Sequence, residues 1–184
     1  MKLTDQQFQE AAKLLACQVS AVKAVYEVET NGSGFLPDGR LKILFEGHVF
    51  WRQLLAAGHR PDDIIKHYPE YADILYKKWT RKFYVGGKGE WERFSKALKL
   101  IDKFGISTVT VMNSASYGSF QVMGFNAILS GYPDAQTMIA AFNEGGEYEC
   151  LMGFARYVIS VKLNDELQRK DWTGFAYKYN GPGY

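Results

Sequence analysis

Val22, Val25 and Tyr26 recur at spacings of three and four, and Glu29 continues the series, three residues beyond Tyr26 and four beyond Val25. On a helix these side chains share one face, while Glu27 points to the opposite side. The pattern carries one carboxyl toward the interior and leaves the other to solvent. Glu29 also falls in the last turn of its helix, just before Asn31-Gly32-Ser33-Gly34, which favours the left-handed conformations of a helix end. Burial disfavours a charged carboxyl, and the negative end of the helix dipole pushes the same way, so this position predicts a raised pKa. A glutamic acid that keeps its proton near neutral pH can protonate the leaving oxygen of a glycoside.

Glu46 is the best second carboxylate, because it follows the short apolar run 41–45. It could hold a water, stabilise a cationic transition state, or anchor loop 32–35 through backbone N–H groups. The separation of two such carboxyls decides the stereochemistry: about 5–5.5 Å suits retention and about 6.5–9.5 Å suits inversion. His48, two residues on, is a further candidate contact, or a bridging surface histidine. Gln121 follows a Gly-Ser-Phe turn; its amide can donate and accept at once, which suits sugar hydroxyl or N-acetyl groups and equally suits holding its own loop. Ser116 and Tyr117 share that loop, and Tyr179 and Asn180 begin the final turn-rich tail. Asp38 and Asp134 read as a turn residue and a helix cap. His48, His59 and His67 are scattered and neither CxxC nor HExxH occurs, so no metal site and no cofactor are expected.

The elements that must position these residues are mostly helical. Thr4 and Gln7 form a capping-box pattern before a helix with Phe8, Ala11, Ala12 and Leu15 on one face. Ser20 reads as the cap of the Glu29 helix. Helical spacing returns over 48–57, 61–67, 69–78, 90–104, 134–142, 147–162 and 165–177. Pro61 and Pro69 suit first turns, where the missing N–H costs nothing. Residues 41–45 read as a strand, 106–112 fit either strand or helix, and 114–125, rich in Ser and Gly, reads as a loop. The expectation is one mainly α domain over 1–184, with a small β element near residues 35–46 and no separate binding domain.

The 184 residues suffice to bury a core without metal or disulfide. Cys17 and Cys150 are expected to be buried free thiols, although a bridge between them stays open. A net charge of +2, with no basic run longer than Lys77-Lys78 before an uncharged residue, excludes a nucleic-acid footprint. Aromatic residues make up 15% of the chain, which suits either a packed core or a groove for sugar rings. The first helix carries Asp5, Glu10 and Lys13, so no signal peptide is expected, and no apolar window is long enough to insert in a membrane.

Three separated blocks resemble the N-acetylmuramidase domain of phage endolysins, a lysozyme-like family: Val28-Glu29-Thr30-Asn31-Gly32-Ser33-Gly34-Phe35 with Ile43-Leu44-Phe45-Glu46-Gly47-His48-Val49-Phe50; Ser114 through Asn126; and Asp171-Trp172 with Phe175-Ala176 to Tyr184. The resemblance runs from about Leu3 to Tyr184. It implies a mainly helical lysozyme-like fold and hydrolysis of the bond between N-acetylmuramic acid and N-acetylglucosamine. It places the catalytic glutamate at Glu29 and brings Tyr179 and Asn180 beside it. Glu29, then Gln121, then Tyr179-Asn180 also resembles the goose-type lysozyme and lytic transglycosylase order. Two departures stand out. Tyr117 replaces the usual Trp, which implies a stacking face with an added hydroxyl, and Gly47 replaces the usual Arg, which implies that a charge pair with Glu46 is missing. The expected partner is the glycan strand of peptidoglycan, acted on by a monomer. The resemblance implies synthesis in the host cytoplasm and action on the wall after release. A lytic transglycosylase forming 1,6-anhydro products, and a wall-binding module without turnover, are the competing readings.

Overall fold

Thr4 accepts a hydrogen bond from the Gln7 N–H at 3.3 Å, and the Gln7 side chain accepts from the Thr4 N–H at 2.9 Å. This reciprocal closure starts α1 (Asp5–Leu15), which buries Phe8, Ala11, Ala12 and Leu15 as its periodicity demands. Ala16, at φ 53°, ends it in the left-handed region. The computed structural model describes residues 2–30 and 33–181. Helix α2 (Val19–Thr30) buries Ala21, Val22 and Val25 and leaves Glu27 exposed. It starts ahead of Ser20, so that residue sits inside the first turn and is not the cap. The terminator residues Asn31 and Gly32, and the tail 182–184, lie outside the described residues.

The β element is larger than expected. Strand β1 (Ile43–Phe45) pairs antiparallel with β2 (Ala115–Tyr117), and β2 with β3 (Val122–Met123). The register sets Ile43 opposite Tyr117 and Phe45 opposite Ala115. The reading of 114–125 as a loop is therefore corrected. These strands are two and three residues long and β2 is buried throughout, so no alternation marks them. Between them runs a tight turn with Gly118 at φ 73° and Gln121 at φ 50°.

Helices α3 (Gly47–Ala56) and α4 (Pro61–His67) follow β1. The helix expected over 69–78 shrinks to a single 3-10 turn at Pro69–Tyr71. Side chains of α5 (Lys88–Asp102) take the carbonyls that a helix would have used: Lys96 donates to Glu70 O at 2.7 Å and Arg93 to Asp73 O at 3.0 Å. The ambiguous stretch 106–112 contains one helical turn, α6 (Val109–Met112), with Val111 wholly buried.

Asp134 caps α7 (Ala135–Ser160), accepting from the Thr137 N–H at 2.7 Å. Gly146, at φ 64° and ψ −146°, interrupts this helix, so that it restarts at Glu147. The single helix expected over 165–177 is split into α8 (Asn164–Arg169) and α9 (Trp172–Asn180). Lys170, at φ 58°, makes the break, and Asp171 caps α9 through the Gly174 N–H at 2.9 Å. The break turns α9 so that Phe175 and Tyr179 pack edge-on against Phe154. One hydrophobic core, including Phe45, Phe50, Tyr117, Phe120, Phe142 and Phe154, connects the sheet to the helices around it. No helix among the described residues is long and apolar enough to cross a membrane.

Candidate active site

The end of α2, the end of β1, the β2–β3 turn and α9 converge on a cleft of about 290 Å³. Glu29, Glu46, Ser116, Gln121, Tyr157 and Tyr179 line it, with Phe120 at its floor. Glu29 is half-buried, as the α2 stripe requires. It also borders a second, apolar cleft of about 360 Å³ formed by Val25, Val28, Trp172 and Phe175. Glu29 therefore lines both a cavity with a second carboxyl and an apolar one. A further cleft of about 440 Å³, lined by Leu3, Ser33, Phe35 and Tyr148 among others, contains neither Glu29 nor Glu46.

Tyr179 donates its hydroxyl to Phe120 O at 2.9 Å. Burial first, then the charges of Glu29 and Tyr157, hold its phenol well above the usual range, so it stays a neutral donor. Helix α9 ends at Asn180, whose side chain lies outside the described residues.

On the opposite rim, Glu46 occupies the N-cap position of α3 without capping it. Its Oε2 accepts from the Tyr84 hydroxyl at 2.6 Å, and the ring Nδ1 of His48 lies 3.2 Å away, off the line of a hydrogen bond. His48 stacks on Tyr76, at 6.5 Å between centroids, and does not line the cleft. A Cβ on Gly47 would overlap the Tyr76 ring, so the space of the family's larger residue is already filled. Glu46 is tied to Tyr84 where the sequence left it without a partner.

The β2–β3 turn binds itself together through Gln121. The amide oxygen accepts from Ser116 Oγ at 2.8 Å and the amide nitrogen donates to Gly118 O at 2.8 Å. Each end of the amide keeps one further hydrogen-bonding position for a ligand. Ser116 is buried beneath it. Tyr117 is wholly buried and donates to Met112 O at 2.8 Å, so the structure places it in the core and not at the cleft, where a stacking residue would be needed.

Two buried carboxylates outside the sequence-derived set build the walls. Glu147, at the restart of α7, accepts from the Gly34 N–H at 2.7 Å, from Ser33 Oγ at 3.0 Å and from Ser119 Oγ. It ties the chain just after Glu29 to the β2–β3 turn. Holding the 33–35 loop was one role open to Glu46; among the described residues Glu147 performs it. Glu90 is fully buried and accepts from the N–H groups of Phe45 at 3.0 Å, Val85 at 2.9 Å and Gly86 at 3.2 Å, and from Arg93 at 2.8 Å. Arg93 in turn donates to Phe45 O at 2.8 Å. This pair fixes the end of β1 directly before Glu46.

Cys17 and Cys150 are free, and burial pushes the Cys150 thiol up to about 12. No group of His, Cys, Asp or Glu among the described residues could hold a metal ion.

A mainly helical body with a three-stranded sheet, and a glutamate at a helix end facing a polar cleft, define the lysozyme-like class. The crystal structure of the Burkholderia AP3 phage endolysin superposes with a TM-score of 0.84 at 39% identity, covering 99% of this chain and 65% of that one. This chain thus spans 65% of that protein's length. The family model for N-acetylmuramidase matches residues 18–184, and the chain belongs to that family of lysozyme-type glycoside hydrolases. No curated protein matches the chain.

Proposed function

We propose that this chain hydrolyses the bond between N-acetylmuramic acid and N-acetylglucosamine in peptidoglycan, with Glu29 as general acid. The observation that carries the reading is the half-buried carboxyl at the end of α2, shared by a polar and an apolar cleft. An apolar neighbour and a helix C-terminus both favour the protonated form of such a group. As the glycosidic C–O bond breaks, its electron pair goes to the leaving oxygen, which takes the proton from Glu29. Positive charge then develops at the anomeric carbon. Glu46, facing the same cleft with one oxygen held by Tyr84, offsets that charge and holds a water, whose oxygen bonds to the anomeric carbon as Glu46 takes its proton; solvent then returns a proton to Glu29 and removes the one on Glu46. Gln121 and Tyr179 orient the sugar, and Tyr179, as a neutral phenol fixed on Phe120 O, also fixes the Glu29 side of the cleft.

Mass spectrometry of purified peptidoglycan after digestion tests the reaction. Fragments ending in reducing N-acetylmuramic acid are expected. Products ending in 1,6-anhydromuramic acid would replace hydrolysis by transglycosylation, in which the 6-hydroxyl of the substrate takes the place of water. Wall binding with no fragments released by the wild-type chain would make the domain a binding module. In the cell, the chain is expected to meet its substrate in the periplasm or wall after release from the cytoplasm, as a phage lysis enzyme.

A further inference from the structure

Residues 77–82, Lys-Lys-Trp-Thr-Arg-Lys, place four positive charges and no negative one on a single exposed segment. The whole chain has a net charge of only +2, so this field is local. Among the described residues, none of Lys77, Lys78, Arg81 and Lys82 joins an ion pair. Trp79 is 57% exposed, with the Arg81 guanidinium 5.6 Å from its ring. An exposed tryptophan flanked by cations outside any ion pair is a surface suited to a flat or anionic ligand.

The aromatic residues on either side of the segment, Tyr76, Phe83 and Tyr84, face inward and anchor it at the Glu46 rim. Tyr84 donates to Glu46, the Tyr76 hydroxyl accepts from the Gly47 N–H at 3.3 Å, and the Phe83 ring packs on Tyr76 at 5.0 Å between centroids. Glu90 accepts from the N–H groups of Val85 and Gly86 at the far end. The cationic face is thereby fixed beside one end of the cleft.

We propose that this face binds the carboxylates of the peptide stems that branch from the glycan strand, so that the domain prefers peptide-bearing over bare strands. The proposal rests on the glycan-cleaving reading above. Alternating sugars carry those stems, and a strand lying across Glu29 and Glu46 projects them beyond the cleft. Their charge is opposite to that of the segment, and the segment borders the glycan path instead of standing apart from it.

The test compares wild type with a variant carrying Lys77→Glu, Lys78→Glu, Arg81→Glu and Lys82→Glu, on intact peptidoglycan and on strands freed of peptides by an amidase. KM on intact peptidoglycan is expected to rise about tenfold, the scale of removing several exposed ion pairs at once. KM on stripped strands should move far less, kcat should hold on both, and the wild-type KM on intact peptidoglycan should rise with salt. An equal change on both substrates, or none, would overturn the proposal. So would loss of binding to phosphatidylglycerol vesicles with KM unchanged, which would assign the face to a lipid surface. Co-sedimentation of each protein with intact and stripped strands reads the same preference without turnover. Failure of the glycan-cleaving reading therefore leaves the patch testable, and the two failures are distinct. The matching Lys→Arg and Arg→Lys variant, which keeps the charge, should behave as wild type; impaired binding there would show that charge is not what the face supplies.

Discussion

The two rims of the cleft carry one glutamate each, and a different buried carboxylate fixes the chain beside each of them. On the helical rim, Glu29 belongs to a regular helix, and the loop after it is pinned by the distant Glu147. On the sheet rim, Glu46 is itself held by Tyr84, and the strand before it is fixed by the buried Glu90–Arg93 pair. The contrast is in what surrounds each carboxyl. On the helical rim the polar cleft meets an apolar one at Glu29, which lines both. On the sheet rim the carboxyl lines one cleft and accepts from the Tyr84 hydroxyl at 2.6 Å.

Breaking the foundation of the sheet rim should have the largest effect. Glu90→Ala leaves Arg93 buried without its partner and should cost about 3–5 kcal/mol of stability, read as a large drop in melting temperature. A melting curve unchanged by that substitution would remove the pair from its structural role. On the helical rim, Glu29→Gln should lower lytic activity at least about 100-fold while leaving the melting temperature close to wild type. Wild-type turnover in that folded variant would end the assignment of the acid. Glu147→Ala should cost about 1–3 kcal/mol, because the Gly34 N–H loses its buried acceptor. Glu147→Gln, which keeps an acceptor for that N–H, should recover most of the loss; equal damage in both would show that charge, and not the bond, is what matters. Tyr84→Phe removes one hydrogen bond from Glu46, worth about 0.5–1.5 kcal/mol, and should reduce kcat several-fold without altering which bond is cut. Glu27→Ala, on the solvent side of α2, should stay within about 0.5 kcal/mol of wild type by denaturant titration and leave activity unchanged.

Much of the helical rim was legible in the sequence, because the information is local. The Thr4–Gln7 box and the α1 and α2 stripes lie within a few turns of one another, and the same periodicity singled out Glu29. The fold family followed from three blocks in order. The sheet rim was less legible. Strands β2 and β3 are too short to show a period, and the left-handed Gln121 between them reflects a turn held by side chains rather than a turn-residue signal. Tyr117 offered a plausible sugar platform by type, yet its position in the register puts it in the core. Glu147 and Glu90 were missed because charged residues on helices usually face solvent. A signal did exist: Glu90 lies four residues before Phe94 and Glu147 four before Leu151, each on a buried stripe, as Glu29 is. Their partners are mostly peptide N–H groups, which leave no mark in the residue types.

Gly34 lies so close to the β2–β3 turn that a single added carbon would collide with Ser119 N and Oγ. Glu147 bonds to both segments as well. The 33–35 loop and the turn that carries Gln121 are thus held against each other. A side chain at position 34 would push apart the two segments that Glu147 joins, and so would displace Gln121 from across the cleft.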